Sequence, residues 1–160
     1  MQRVPQIRSA RRLIGARLLV VEDDFLISMD LKAVLTDAGA EVVGPCRTVI
    51  DAVASVNEGS ISAGLLDIRL ALESVVPVAT QLTDRGIPFV FYTGYVDTGE
   101  IREKFPHSKI VHKPASPEIL VGAVADVLGR TGPPPRNIRR RLMLLVIGVV
   151  VIVTLVLCIY

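Results

Sequence analysis

The chain has 160 residues, 51% of them hydrophobic, and its 18 Lys and Arg against 16 Asp and Glu leave a net charge of +2. All 16 acids lie from Glu22 to Asp126 with only eight bases among them, a balance of −8. Such an acidic body repels phosphate backbones, which argues against a nucleic-acid binder. The two cysteines, Cys46 and Cys158, stand too far apart in character for a disulfide scaffold and imply a reducing compartment.

Residues 1–16 read as a basic N-terminal arm, and the apolar stretch that follows is too short for a secretory core. From Arg17, short Val/Leu/Ile runs alternate with segments of helical period, the pattern of an α/β domain built on a parallel sheet. Leu18–Val21 is continuously apolar, as in a strand covered on both faces. The helix after it spaces Leu26, Met29, Leu31, Val34 and Leu35 and stops at Gly39, with Asp24 expected as its N-cap. Glu41–Gly44 is the second strand, closed by Gly44-Pro45, and a helix over 48–56 follows. GLLDIRL forms the third strand, and the next helix starts near Pro77, which a first turn tolerates. PFVFYTG and KIVHK are the fourth and fifth strands, and Ser116-Pro117 opens the last helix. Five βα units result, spanning residues 17–129. Ligands of such sheets bind beyond the carboxyl ends of the strands.

Residues 130–141 form a Pro/Arg-rich linker that cannot continue a helix. Residues 142–160 contain no charged side chain; as a helix they would span roughly 28 Å, close to a bilayer's hydrocarbon thickness. They are expected to form a single transmembrane anchor in contact with lipid, with Arg139, Arg140 and Arg141 holding the domain on the cytoplasmic face of the inner membrane.

On this scaffold Glu22 and Asp23 follow strand one, Asp67 ends strand three, Thr93 ends strand four and Lys113 ends strand five. Carboxylates converging on one edge repel and raise one another's pKa values unless positive charge sits among them. Mg²⁺ with oxygen ligands and the Lys113 ammonium would supply it. The set suits phosphoryl transfer, with Asp67 as nucleophile, a metal and Lys113 neutralising the phosphoryl oxygens, and Thr93 donating to one of them. Blander readings stand beside this one: Glu22 as a solvated strand-end acid, Thr93 as a β-former, Lys113 as a surface lysine. His107 and His112 lack metal spacing.

With VVEDD after strand one, LLDIRL around the acceptor, TG after strand four and KP after strand five, the stretch 17–129 resembles the receiver domains of two-component response regulators. The resemblance implies a (βα)5 doubly wound parallel sheet of flavodoxin-like order 2-1-3-4-5. It also implies phosphorylation of Asp67 by a histidine kinase or phosphotransfer protein, and no enzymatic activity beyond self-catalysed phosphorylation and dephosphorylation. Asp23 corresponds to the direct metal ligand, Glu22 to one acting through water, and the Arg69 backbone carbonyl to a further ligand. Thr93 and Lys113 match the hydroxyl and the lysine, and the Lys113-Pro114 bond is one the family often holds cis. Ile110 replaces the usual switch aromatic and Ala115 the phenylalanine after KP, and RLALES lacks the usual methionine-proline and glycine. PFVFYTGY resembles instead an α-proteobacterial subgroup with a Phe-Ala-Thr-Gly fourth strand, which makes Tyr95 the candidate substitute switch or, equally, a residue packed over the loop.

The expected output is a stand-alone, membrane-tethered receiver read by an unknown downstream protein, or a phosphate sink. Ile110 and Ala115 favour the rival, a pseudo-receiver that binds a partner without phosphate. An aspartate-nucleophile phosphatase would need an acid where Arg69 stands.

Overall fold

The computed structural model describes residues 12–130. Its elements in chain order are β1 (Arg17–Val21), α1 (Phe25–Asp37), β2 (Glu41–Cys46), α2 (Val49–Glu58), β3 (Ala63–Leu66), β4 (Arg69–Leu70), β5 (Glu73–Ser74), α3 (Val76–Asp84), β6 (Phe89–Thr93), α4 (Gly99–Lys104), β7 (Lys109–His112) and α5 (Pro117–Arg130). The main sheet has the order β2-β1-β3-β6-β7 with every pairing parallel. Counted over its own five strands, this is the expected 2-1-3-4-5.

Alternation along the strands divides the core. Leu18, Val20 and Leu65 face one side with Leu31 and Leu35 of α1 and Leu120, Val121 and Val124 of α5. Leu19, Val21, Leu66 and Phe91 face the other with Ala52 and Val56 of α2, Val78 and Leu82 of α3, and Ile101 of α4. Side chains of consecutive strand residues point to opposite faces, so an unbroken apolar run serves both layers at once.

Several local expectations shift. Leu26 and Met29 are exposed, at 76% and 49%, because the buried stripe of α1 runs through Ile27, Leu31, Val34 and Leu35. Asp24 does cap that helix, accepting from the Ile27 N–H at 3.0 Å. β2 does not close at Gly44-Pro45 but continues to Cys46, with a register shift between Leu19 and Val21 of β1. Gly44 has φ +94°, and a Cβ there would meet the Cys46 nitrogen at 2.6 Å and the Val20 carbonyl at 2.9 Å, so only glycine fits. The Gly44-Pro45 and Lys113-Pro114 bonds are both cis. The stretch after Asp67 is not a plain loop; it folds into the antiparallel β4–β5 hairpin. Leu13 and Ala16, placed in the N-terminal arm by the sequence, are buried in the first core layer, and the Leu13 N–H bonds the Ala38 carbonyl at 3.0 Å.

The expected placement on the cytoplasmic face of the inner membrane is corrected. Among the described residues no helix is long and apolar enough to cross a membrane. The longest, α5, has 14 residues, roughly 21 Å of helix against a hydrocarbon core of about 30 Å, and it carries Glu118 and Asp126. The segment 142–160, on which the transmembrane and lipid expectation rested, lies outside the described residues.

Candidate functional site

Backbone hydrogen bonds across the sheet place the polar residues at one edge. The Glu22 N–H donates to the Cys46 carbonyl at 3.0 Å, the Asp67 N–H to the Val21 carbonyl at 2.9 Å, and the Lys113 N–H to the Thr93 carbonyl at 2.9 Å. Each residue is thus held in register one step past an apolar strand, and their side chains converge.

Lys113 is the centre of the cluster. Its Nζ donates to Glu22 Oε2 at 2.5 Å and to Asp67 Oδ2 at 2.6 Å. Glu22 is 1% exposed, so the reading of it as a solvated strand-end acid does not hold. Its other oxygen accepts from the Asp24 N–H at 3.3 Å. Burial pushes the Glu22 carboxyl above the ordinary range, and neither the hydrogen bond nor the charge of Lys113 fully offsets it. Burial works against the charge of Lys113, but its hydrogen bonds to Asp67 and Glu22 prevail and raise its pKa.

Glu22, Asp23 and Asp67 each offer a carboxylate oxygen within 4.8 Å of the others. These three negative charges face the single positive charge of Lys113, a deficit that a divalent cation matches. Magnesium takes oxygen ligands at about 2.1 Å, so opposite ligands stand about 4.2 Å apart and the donor set closes around it with little movement. The Asp67 Oδ1 accepts from the Arg69 N–H at 3.4 Å, and Asp23 Oδ2 accepts from the Ala71 N–H at 2.8 Å. The first strand of the hairpin and its turn are therefore tied to two of the carboxylates.

Thr93 is 1% exposed, and its Oγ1 accepts from the Tyr95 N–H at 3.1 Å. Tyr95 is 45% exposed, with the Arg69 guanidinium carbon 5.3 Å from its ring centroid. Ile110 is half-buried in the second core layer, and Ala115 packs at the margin of the first. Two participants escaped sequence reasoning. The buried Tyr92 lies beneath Lys113, its ring centroid 5.4 Å from Nζ, and its hydroxyl accepts from the Ala115 N–H at 3.4 Å. In the sequence it looks like one more apolar strand residue; its hydroxyl, directly before Thr93, was the available signal. Ala71 has no polar side chain and gave none.

No family model matches the chain. The receiver domain of the sensor histidine kinase PA1611 from Pseudomonas aeruginosa PAO1, solved with magnesium in its active-site cleft, superposes at TM-score 0.64 and 21% identity, covering 72% of this chain and 98% of that one. Together with the strand order, this makes the fold that of a response-regulator receiver. The chain is also similar in sequence to PhyR proteins: the phyllosphere-induced regulator PhyR of Methylorubrum extorquens is 29% identical over 118 residues, 72% of this chain and 44% of that protein. The anti-anti-sigma factor PhyR from Bartonella quintana matches at TM-score 0.63 and 27% identity, over 73% of this chain and 49% of that one. The chain spans about half the length of these PhyR relatives.

Proposed function

We propose that the chain is a phosphoacceptor in a two-component phosphorelay, taking a phosphoryl group on Asp67 from a histidine kinase or phosphotransfer protein. The observation that carries this reading is the Lys113 ammonium bridging Asp67 and the buried Glu22 at 2.6 and 2.5 Å, with Asp23 in the same carboxylate cluster. A carboxylate oxygen of Asp67 attacks the phosphorus of a phosphohistidine. The new O–P bond forms as the P–N bond breaks, and its electron pair returns to the imidazole nitrogen. Lys113, already against Asp67, neutralises the phosphoryl oxygens, and the hydroxyl of Thr93, at the carboxyl end of the neighbouring strand β6, would donate to one of them. Asp23, Asp67, Glu22 and the Arg69 carbonyl are the groups that would hold Mg²⁺, which supplies further positive charge against the phosphoryl oxygens when bound.

The product is a signal read by a partner protein. The anti-anti-sigma description of the Bartonella PhyR makes an anti-sigma factor the first partner to try. Incubation of the full chain with a radiolabelled acyl phosphate and Mg²⁺ should give a label that is lost in Asp67→Asn; a label that persists there rejects the assignment. Ile110 and Ala115, where receivers usually carry aromatic rings, favour a second reading, a pseudo-receiver that engages its partner without phosphate. Failure of the chain to bind Mg²⁺ and beryllofluoride would select it.

A further inference from the structure

The β4–β5 hairpin touches the site through its backbone and the loop after β6 through one side chain. Its Arg69 and Ala71 N–H groups reach Asp67 Oδ1 and Asp23 Oδ2. Its Arg69 guanidinium, otherwise exposed, lies over the Tyr95 ring at 5.3 Å. Tyr95 in turn hangs by its N–H on the Thr93 hydroxyl oxygen at 3.1 Å. Ile110 of β7, paired with Phe91 of β6, is aliphatic and packed against the core, and Tyr92 is buried in the opposite layer, so neither supplies a movable ring.

We propose that Arg69 is a positioning residue that holds Tyr95 down in the unphosphorylated protein and releases it when the Asp67 phosphoryl group arrives. The inference rests on the phosphoacceptor reading of Asp67. The Arg69 end of the contact depends on a group that a phosphoryl would engage, for Arg69 stands two residues after Asp67 and its N–H already reaches Asp67 Oδ1 at 3.4 Å. The Tyr95 backbone stays hinged on Thr93, whose hydroxyl oxygen can accept the Tyr95 N–H while its hydrogen is donated elsewhere, so only the ring is freed. A phosphoryl group adds close to two negative charges and three acceptor oxygens. Planar, bidentate hydrogen bonding of guanidinium to such an oxyanion is stronger than its contact with an exposed aromatic face. Arg69 therefore exchanges the ring for the phosphoryl. Tyr95 then joins Val96, already 91% exposed, in a mobile apolar patch available to a partner.

The test uses the full chain labelled in its three tyrosines, with the Tyr95 ring resonances assigned by their loss in Tyr95→Phe. Beryllofluoride with Mg²⁺ is the phosphoryl mimic, and its binding is followed separately by fluorine resonance. In the wild-type chain the Tyr95 signals should move toward solvent-exposed positions as the mimic binds. In Arg69→Ala they should start there, and the shift on binding should fall about threefold or more. Arg69→Lys keeps the charge but not the planar stack and should resemble Arg69→Ala at Tyr95. Arg69 is exposed, so these variants should fold, as the dispersion of their core resonances will register. Bound mimic with unmoved Tyr95 overturns the latch and leaves the phosphoacceptor reading standing. Absence of bound fluoride overturns both.

Discussion

Replacement of Lys113 by methionine tests the electrostatics of the site most directly. The side chains of Glu22, Asp67 and Lys113 are 2%, 11% and 14% exposed, so the two ion pairs are largely shielded from water. Removing one partner of a buried pair costs about 3–5 kcal/mol; the open edge near Asp67 admits some water, which places this case near 3 kcal/mol. For a domain of this size that is roughly a 10 °C fall in Tm. The loss must also depend on pH. A carboxyl whose folded pKa lies above its unfolded value takes up a proton on folding, so its stabilisation is complete below the unfolded pKa and is lost as pH rises through the folded one. Glu22 already behaves in this way, and Lys113→Met removes the hydrogen bond and charge that moderate it. Denaturant unfolding in chelator should show the variant far below wild type at about pH 8, with the gap closing toward about pH 5 as Glu22 protonates. A gap that stays constant across that range, or no gap at all, refutes the assignment of Lys113 as the counterion of a buried carboxylate.

Three other outcomes follow from the same structure. Glu22→Gln differs from Lys113→Met because Lys113 keeps Asp67 as its partner. Since burial already raises the Glu22 pKa, the neutral amide should be more stable in chelator by roughly 1 kcal/mol near neutral pH, with the advantage vanishing in acid, and should weaken Mg²⁺ binding measured by titration calorimetry. Asp24→Ala removes the oxygen that accepts from the Ile27 N–H at 3.0 Å and should cost about 1 kcal/mol in urea unfolding. Gly39→Ala should cost more than about 1 kcal/mol in the same assay, since φ is +95° and the new Cβ would meet Ile14 Cγ1 at 2.9 Å.

The sheet was legible because each strand that covers two layers shows itself as an unbroken apolar run, and Leu18–Val21 and Ala63–Leu66 are such runs. The meeting of Glu22, Asp23, Asp67 and Lys113 was legible for the same reason: a carboxylate or a lysine directly after a buried strand has little choice of location. The helix stripes were less so. Leu26 and Met29 are as apolar as Leu31, and only the rotation of α1 against the sheet decides which of them is buried. The β4–β5 hairpin could not be read, because its anchors are the N–H groups of Arg69 and Ala71, and a backbone donor leaves no trace in residue type. Tyr92 was hidden by its own dual nature, an apolar ring in the core with its hydroxyl directed to the Ala115 N–H.

The bridge that Lys113 makes between Glu22 and Asp67 has a further bearing on how the domain is assembled. Because Glu22 and Asp67 carry an internal counterion, the domain should fold without a metal, unlike small domains whose ligands are organised only by their ion. A divalent cation arriving at the edge enters as a competitor for oxygens already engaged. Its affinity is then the difference between two attractions, and it should be moderate and readily reversible. Such reversibility is what the proposed phosphoacceptor role would require of the site.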